Sequence, residues 1–337
     1  LKTLIYIGNQ SGVSKHANVS SIDVLGPLLV KSGFRVFTAS SKPNIVIRLL
    51  DMLWHCLKHR KKADYVIIDT YSTLNFYYAY FGAQWCRILN LKYIPILHGG
   101  NLPERLKSSP KLAKAIFNNA FLNVAPSLFI KSKFENLNYS NIICIPNSIE
   151  LKDYQLKKRD FKSINLLWVR SFSKLYNPLL AIKILKALKD EKLKATLCMV
   201  GPDSDGSLLE AKNYANQLGV EVSFTGKLTK KVWIKRSEDY NIFINTTNFD
   251  NMPVSVIEAM ALGLPVVSTN VGGLPFLIEN HKNGVLVEPN SVNGFVESIL
   301  NIIRTPDFAK QITENARNRV EKLDWEIVKK QWIKVLK

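Results

Sequence analysis

Two acids eight positions apart, Asp250 and Glu258, bracket the stretch "DNMPVSVIE" in unlike surroundings, a polar loop for the first and an apolar run for the second. A carboxylate buried without a partner costs several kcal/mol, so Glu258 calls for polar company. Asp250 falls just beyond the strand-like run "NIFINT", at the carboxyl end where ligands bind in parallel sheets. The helix that follows is expected to begin near Val254 or Ser255, so its unpaired N–H groups face the same place as Asp250 and suit a phosphate. Glu258 lies one turn further along the face shared with Val254 and Ser255, where a carboxylate can accept two hydroxyls from a ribose. Upstream, "LLWVR" ends in Arg170 and the next loop adds Lys174. Two cations at a strand's carboxyl end suit a diphosphate, Arg by its planar fork and Lys as a point charge. Either one alone is equally well a surface charge. With the helix terminus and the two acids, the set describes a nucleotide-sugar site.

A second candidate is His98, which ends the strand-like "YIPILHGG" and is followed by two glycines that permit close approach. Its plain alternative is a hydrogen bond to a neighbouring carbonyl. Near the start, "IGNQSGVSKHANVSSIDVL" reads as strand, polar loop and helix. Gly8 to Lys15 misses the P-loop spacing and there is no G-x-G-x-x-G. Gly12 at a helix start would let backbone amides approach an anion or a sugar; the other reading is an ordinary turn. Two metal-like patterns are set aside. Asp203 and Asp205 in "PDSDG" suit a turn that opens a helix, and His55 and His59, one helical turn apart, lack a third ligand and read as a basic helix face. No metal is expected.

These residues need strands to present them, and strand-like runs alternate with helical patterns twice along the 337 residues. The first half carries "TLIYIG", "RVFTAS", "YVIIDT", "YIPILHG", "FLNVAP" and "IICIPNS"; the second carries "INLLWVR", "ATLCMVG", "VSFTG", "NIFINT", "PVVST" and "GVLVE". Apolar runs bounded by Gly, Pro and Asn argue for parallel sheets covered on both faces. Each half is therefore expected to be a doubly wound, Rossmann-like α/β unit, residues 1–155 and 160–320, with ligands in a cleft between them. The charged segment Glu150–Ser163 is expected to be the linker. The last stretch, residues 321–337, places Trp325, Val328, Trp332 and Val335 at the spacing of an amphipathic helix.

Composition is that of a folded protein, 47% hydrophobic and 22% charged. Four scattered cysteines read as reduced core residues of a cytoplasmic protein, and no apolar run approaches the roughly 18 residues that span a bilayer. The net charge of +19 calls for an acidic partner: anionic lipid, nucleic acid or a phosphorylated substrate.

The motifs resemble those of the retaining glycosyltransferases of family GT4, glycosyl transferases group 1. The marks are the acid-x7-acid pair with "EAMALGLPVVSTNVGG", together with "HGG" at 98–100, "IPNSIE" at 145–150, "MVGPD" at 199–203 and "VSFTGKL" at 222–228. The resemblance runs the length of the chain and is weakest from Asp51 to Trp85, where acceptor specificity would lie. It implies a GT-B fold, two Rossmann-like domains with "LDWEIVKKQW" returning to the first. It implies that Glu258 binds the donor ribose, Asp250 hydroxyls of the transferred sugar, Arg170 and Lys174 the diphosphate, and that His98 serves the sugar from the first domain. Gly201, Gly226, Lys227 and Leu228 would line the nucleotide, its base read largely by backbone near Gly226 to Leu228; Asn251, Met252, Val254 and Ser255 would contact sugar and phosphates. Three departures stand out. Asp250 replaces the usual Glu, Pro253 replaces a common Gly and offers no N–H, and Lys174 follows Arg170 one position early.

The co-substrate implied is a nucleotide diphosphate sugar, UDP most often, used without metal, and the acceptor a glycan or polyprenyl-linked saccharide. Arg105, Lys107, Lys111 and Lys114, near Leu106, Leu112, Ile116 and Phe117, offer an anionic membrane a peripheral contact at the inner face of the plasma membrane; the alternative is a helix packed on its own sheet. The aromatic-rich "YYAYFGAQWCRIL" adds to that face, yet reads equally as a buried helix. Two other classes stay open, a silent nucleotide-sugar binder and a basic nucleic-acid-binding protein. No nucleic-acid motif is found, so that partner is not expected.

Overall fold

The computed structural model describes residues 1–10 and 20–337, so Gly12 lies outside the described residues. The chain divides into two compact units, Leu1–Asn147 with Trp325–Lys337, and Ser148–Asp324. In the first, β1 (Thr3–Ile7), β2 (Arg35–Ala39), β3 (Tyr65–Thr70), β4 (Tyr93–Leu97), β5 (Asn123–Ala125) and β6 (Ile142–Cys144) form one sheet in the order β2-β1-β3-β4-β5-β6. Every pairing is parallel. The period-2 geometry of a strand sends Ile5, Ile7, Val66 and Ile68 into one core and Leu4, Tyr6, Tyr65 and Ile67 into the other. Both faces are apolar, so both must be covered by helices. The terminal helix Trp325–Leu336 covers the second core with Trp325, Val328, Trp332 and Leu336. Leu336, rather than the expected Val335, makes the last buried contact, because it completes the turn from Trp332.

The second unit holds β7 (Ile164–Val169), β8 (Ala195–Val200), β9 (Ser223–Gly226), β10 (Ile242–Asn245), β11 (Val266–Thr269) and β12 (Val285–Val287), all parallel, in the order β12-β11-β10-β7-β8-β9. Leu166, Trp168, Ile242 and Ile244 face one core and Leu167 and Phe243 the other. Each such side chain contributes about 1.5–3 kcal/mol by its burial.

Two expectations are corrected. The segment Glu150–Ser163 is part of the second unit, not a free linker. Tyr154 is fully buried, and the Arg159 guanidinium donates to the carbonyls of Ser237, Tyr240 and Leu262; burial pulls its pKa down to about 10. These partners satisfy charges that read as solvated. In the helices Leu102–Ser108 and Pro110–Phe117, Leu106, Ile116 and Phe117 point into the first unit's core and Leu112 packs against it. Their lysines are solvated and their apolar side is spoken for.

Candidate functional site

In the second unit the chain runs outward from β7 through β8 to β9, then returns to lay β10 on the other side of β7. This reversal opens a crevice at the strands' carboxyl ends, and Arg170 leaves β7 there while Asp250 follows β10. The two form an ion pair, with side chains only 11% and 14% exposed. The Arg170 guanidinium also lies 4.0 Å from the Tyr176 ring centroid, and its Nη1 is 3.5 Å from Ser255 Oγ. Its buried Nε has no hydrogen-bond partner among the described residues.

The helix Val254–Ala261 starts where expected, with Pro253 as N-cap. Its first two amides, Val254 and Ser255, have no carbonyl four residues back within the helix, and the Ser255 hydroxyl at that end reaches Arg170. Backbone packing holds the loop before it. Gly273 N donates to Asp250 O at 2.9 Å, and a Cβ at Gly272 or Gly273 would come 2.0 Å from Asp250 O or 1.9 Å from Asn251 O. The two glycines let the loop after β11 press directly on the Asp250 loop. Gly201 plays the same part behind Arg170. Its Cβ would lie 1.7 Å from Arg170 O, and its amide donates to Gly226 O, holding the end of β9 beside the end of β8. Leu228 then packs on the core shared with Met252 and Val256.

Glu258 is 6% exposed, and its company is now visible. Tyr154 Oη donates to Glu258 Oε1, and Lys230 Nζ pairs with the same oxygen at 3.0 Å. Burial, then the charge of Glu258, pushes the Tyr154 phenol far above its ordinary range, so it stays a donor. Lys174 stands apart from this cluster. Its side chain is exposed and its amide donates to Asp205 Oδ2. Asp203 and Asp205 cap the turn before the helix Ser207–Gln217, accepting from Gly206, Leu208 and Ser207.

In the first unit His98, at the end of β4, places Nε2 2.8 Å from Asp69 Oδ1 and Nδ1 3.3 Å from Ser21 Oγ. The partner is a carboxylate rather than a carbonyl. Tyr6 Oη donates to the same Asp69 oxygen, and Tyr71 stacks on the imidazole at 5.4 Å. Asp69 is almost wholly buried at the end of β3, and its Oδ2 has no hydrogen-bond partner among the described residues. Gly8 makes room for it, since a Cβ there would meet Oδ2 at 2.5 Å.

Residues 153–319 match the family described as glycosyl transferases group 1. That stretch is a group 1 glycosyltransferase domain. Over 204 residues, 53% of this chain and 49% of the relative, the chain is 25% identical to the UDP-Gal:alpha-D-GlcNAc-diphosphoundecaprenol alpha-1,3-galactosyltransferase of Escherichia coli. The chain spans about half the length of the curated relatives it matches. Among solved structures it superposes on sucrose-phosphate synthase from Thermosynechococcus elongatus with a TM-score of 0.84 at 19% identity, covering 99% of this chain and 98% of that one. The Anabaena protein Alr3699/HepE, solved in complex with UDP and glucose, gives 0.79 at 17% identity and covers 99% and 98%. The fold is the GT-B fold.

Within the group 1 domain the structure thus gathers Arg170, Asp250, Val254, Ser255 and Glu258, and it adds Tyr154 and Lys230, which sequence reasoning missed. Tyr154 was hidden in the presumed linker, although an aromatic among charges is itself a sign of burial. Asp69, likewise missed, is the only acid in the apolar "YVIIDT". His55 has an acid close by after all, Asp51 at 3.6 Å, while His59 stacks on Phe37. Among the described residues no group of three or more His, Cys, Asp and Glu could hold a metal ion, and no helix is long and apolar enough to cross a membrane.

Proposed function

We propose that the chain is a retaining glycosyltransferase that moves a sugar from a UDP-sugar to a hydroxyl of a glycan or polyprenyl-linked saccharide, working without metal at the inner face of the cytoplasmic membrane. The observation that carries the reading is the meeting of Arg170, Asp250 and the amide end of helix Val254–Ala261 where the strand order reverses, with Glu258 buried one turn further on. A diphosphate takes Arg170 and the Val254 and Ser255 amides, with Lys174 as an added cation; Glu258 takes the ribose hydroxyls. Gly226, Lys227 and Leu228 border the base, and Asn251 and Met252 the sugar. The printed name of the E. coli relative supports both the UDP donor and the lipid-linked acceptor, and the HepE complex supports UDP.

The bond from the anomeric carbon to the β-phosphate oxygen breaks as the acceptor oxygen adds on the same face, and the acceptor proton passes to the departing phosphate. Charge therefore grows on phosphate, where each preorganised donor lowers the barrier by about 3 kcal/mol. Asp250 orients sugar hydroxyls and is no nucleophile, and His98 is the first unit's candidate for binding a neutral hydroxyl.

The test is a thermal-shift comparison of UDP, GDP, ADP and CMP with the parent chain and Glu258→Ala. A ligand at about 100 times its Kd adds about 2.7 kcal/mol of stability. Selective stabilisation by UDP, largely lost in Glu258→Ala, is expected. Stabilisation by none of the four would overturn the donor site, and UDP binding without transfer to any lipid-linked saccharide would leave a silent binder.

A further inference from the structure

The largest run of unburied apolar side chains in the described residues lies in the first unit. The helix Ile45–His59 buries Met52 and Cys56 and turns Val46, Leu50 and Trp54 outward at successive i, i+4 positions, with Ile45 and Ile47 beside them. Leu50 is 60% and Trp54 57% exposed. The next helix, Phe76–Ile88, adds exposed Tyr77, Phe81 and Ile88, with Leu74 just before it. The two helices are tied side by side, Trp85 Nε1 donating to Leu53 O at 3.0 Å and Tyr78 Oη to Ile45 O. A patch of this extent is uncommon on a soluble surface and marks a docking site.

Its border decides what docks. Between residues 42 and 62 the cations are Lys42, Arg48, Lys58, Arg60, Lys61 and Lys62, against the single acid Asp51. Lys42, Lys58, Arg60, Lys61 and Lys62 are all exposed. We propose that the joint face of the helices Ile45–His59 and Phe76–Ile88 seats on the surface of an anionic lipid bilayer, its aliphatic and aromatic side chains entering the headgroup boundary and its lysines meeting lipid phosphates. A second copy would bring the same basic border against itself. Nucleic acid gains nothing from Val46, Ile47 and Leu50, which cannot stack on bases. The helices first expected to touch a membrane, Leu102–Ser108 and Pro110–Phe117, keep their apolar side in the core. The assignment deepens the membrane part of the proposed function, yet its test needs neither donor nor acceptor.

The experiment is co-sedimentation of the purified chain with vesicles of phosphatidylcholine alone or mixed with phosphatidylglycerol, at low and high salt. Binding to the mixed vesicles that weakens with salt is expected. Leu50→Glu with Trp54→Glu should lower partition about tenfold or more, and Lys61→Glu with Lys62→Glu should lower it and flatten the salt dependence. The UDP thermal shift serves as the folding control and should be unchanged in both variants. Equal partition onto the two vesicle types, or partition indifferent to either variant, would overturn the proposal. So would a concentration-dependent dimer abolished by Trp54→Glu in a chain that ignores vesicles, which would give the face to a second copy. Vesicle binding as expected with no UDP shift in any form would uphold the surface while the donor reading fails.

Discussion

The strand ends of the two units carry clusters of similar size built on opposite plans. In the second unit the two buried carboxylates each meet a cation, Asp250 with Arg170 and Glu258 with Lys230. In the first, one carboxylate, Asp69, receives a phenol and an imidazole and, among the described residues, no arginine or lysine. Paired charges at partly buried positions can be traded for a ligand's charges, since a diphosphate replaces the carboxylate at Arg170 and hydroxyls replace the cation at Glu258. A shared carboxylate instead fixes a ring. The contrast fits the proposed function, with anion binding at the second cluster and orientation of a neutral group at the first.

The strongest way to break this division is at Arg170. Under the proposed function Arg170 meets the diphosphate, so Arg170→Ala should slow sugar transfer about a hundredfold, the roughly 3 kcal/mol of a preorganised donor. Asp250→Asn should separate the partners. With its ion pair gone, Arg170 is free for phosphate, so UDP alone should bind at least as tightly while transfer falls. Weaker UDP binding in Asp250→Asn, measured by calorimetry, would mean that the pair holds the site together rather than waiting to be exchanged. Next in size is Glu258→Ala, which loses charge-assisted bonds to ribose of about 1.5–3 kcal/mol and should weaken UDP by tens of fold.

Much of the second cluster was legible because Asp250, Ser255 and Glu258 lie on one strand, loop and helix, where spacing alone sets geometry. The twelve apolar runs read as strands for a similar local reason, since each is bounded by turn residues. What stayed hidden is long-range. Glu258 meets Tyr154 across 104 positions and His98 meets Asp69 across 29, and no local pattern announces either. The glycine pair 272–273 was visible, but not that it presses on the backbone of Asp250 and Asn251. The outward face of the helix Ile45–His59 was illegible for another reason. With apolar residues on both sides, as in "IVIRLLDMLW", periodicity does not say which stripe the core takes.

The first cluster is probed by Asp69→Asn. The amide keeps the size but cannot offer His98 and Tyr6 a charged acceptor, so the imidazole loses its fixed orientation. Turnover should fall about tenfold, in keeping with one hydrogen bond to a charged group. The UDP thermal shift should not move, and a lost shift would abolish the division of labour between the clusters.

The smallest effect tests the one feature the clusters share, a buried tyrosine donating to a carboxylate. Tyr6→Phe and Tyr154→Phe should each cost about 1 kcal/mol of stability near neutral pH in urea unfolding. Both phenols are pushed up, first by burial and then by Asp69 or Glu258. A raised folded pKa gives stability that is complete below the unfolded value of about 10 and is lost as pH rises beyond it. The gap between parent and variant should therefore narrow above that pH in both units. At Glu258, though, Lys230 remains as a second partner on the same oxygen, while at Asp69 the remaining partner is the His98 imidazole. Tyr154→Phe should accordingly be the milder of the two. The reverse order would show that Lys230 is held by Tyr154, over whose ring it lies at 5.6 Å, and leaves Glu258 when the phenol is gone.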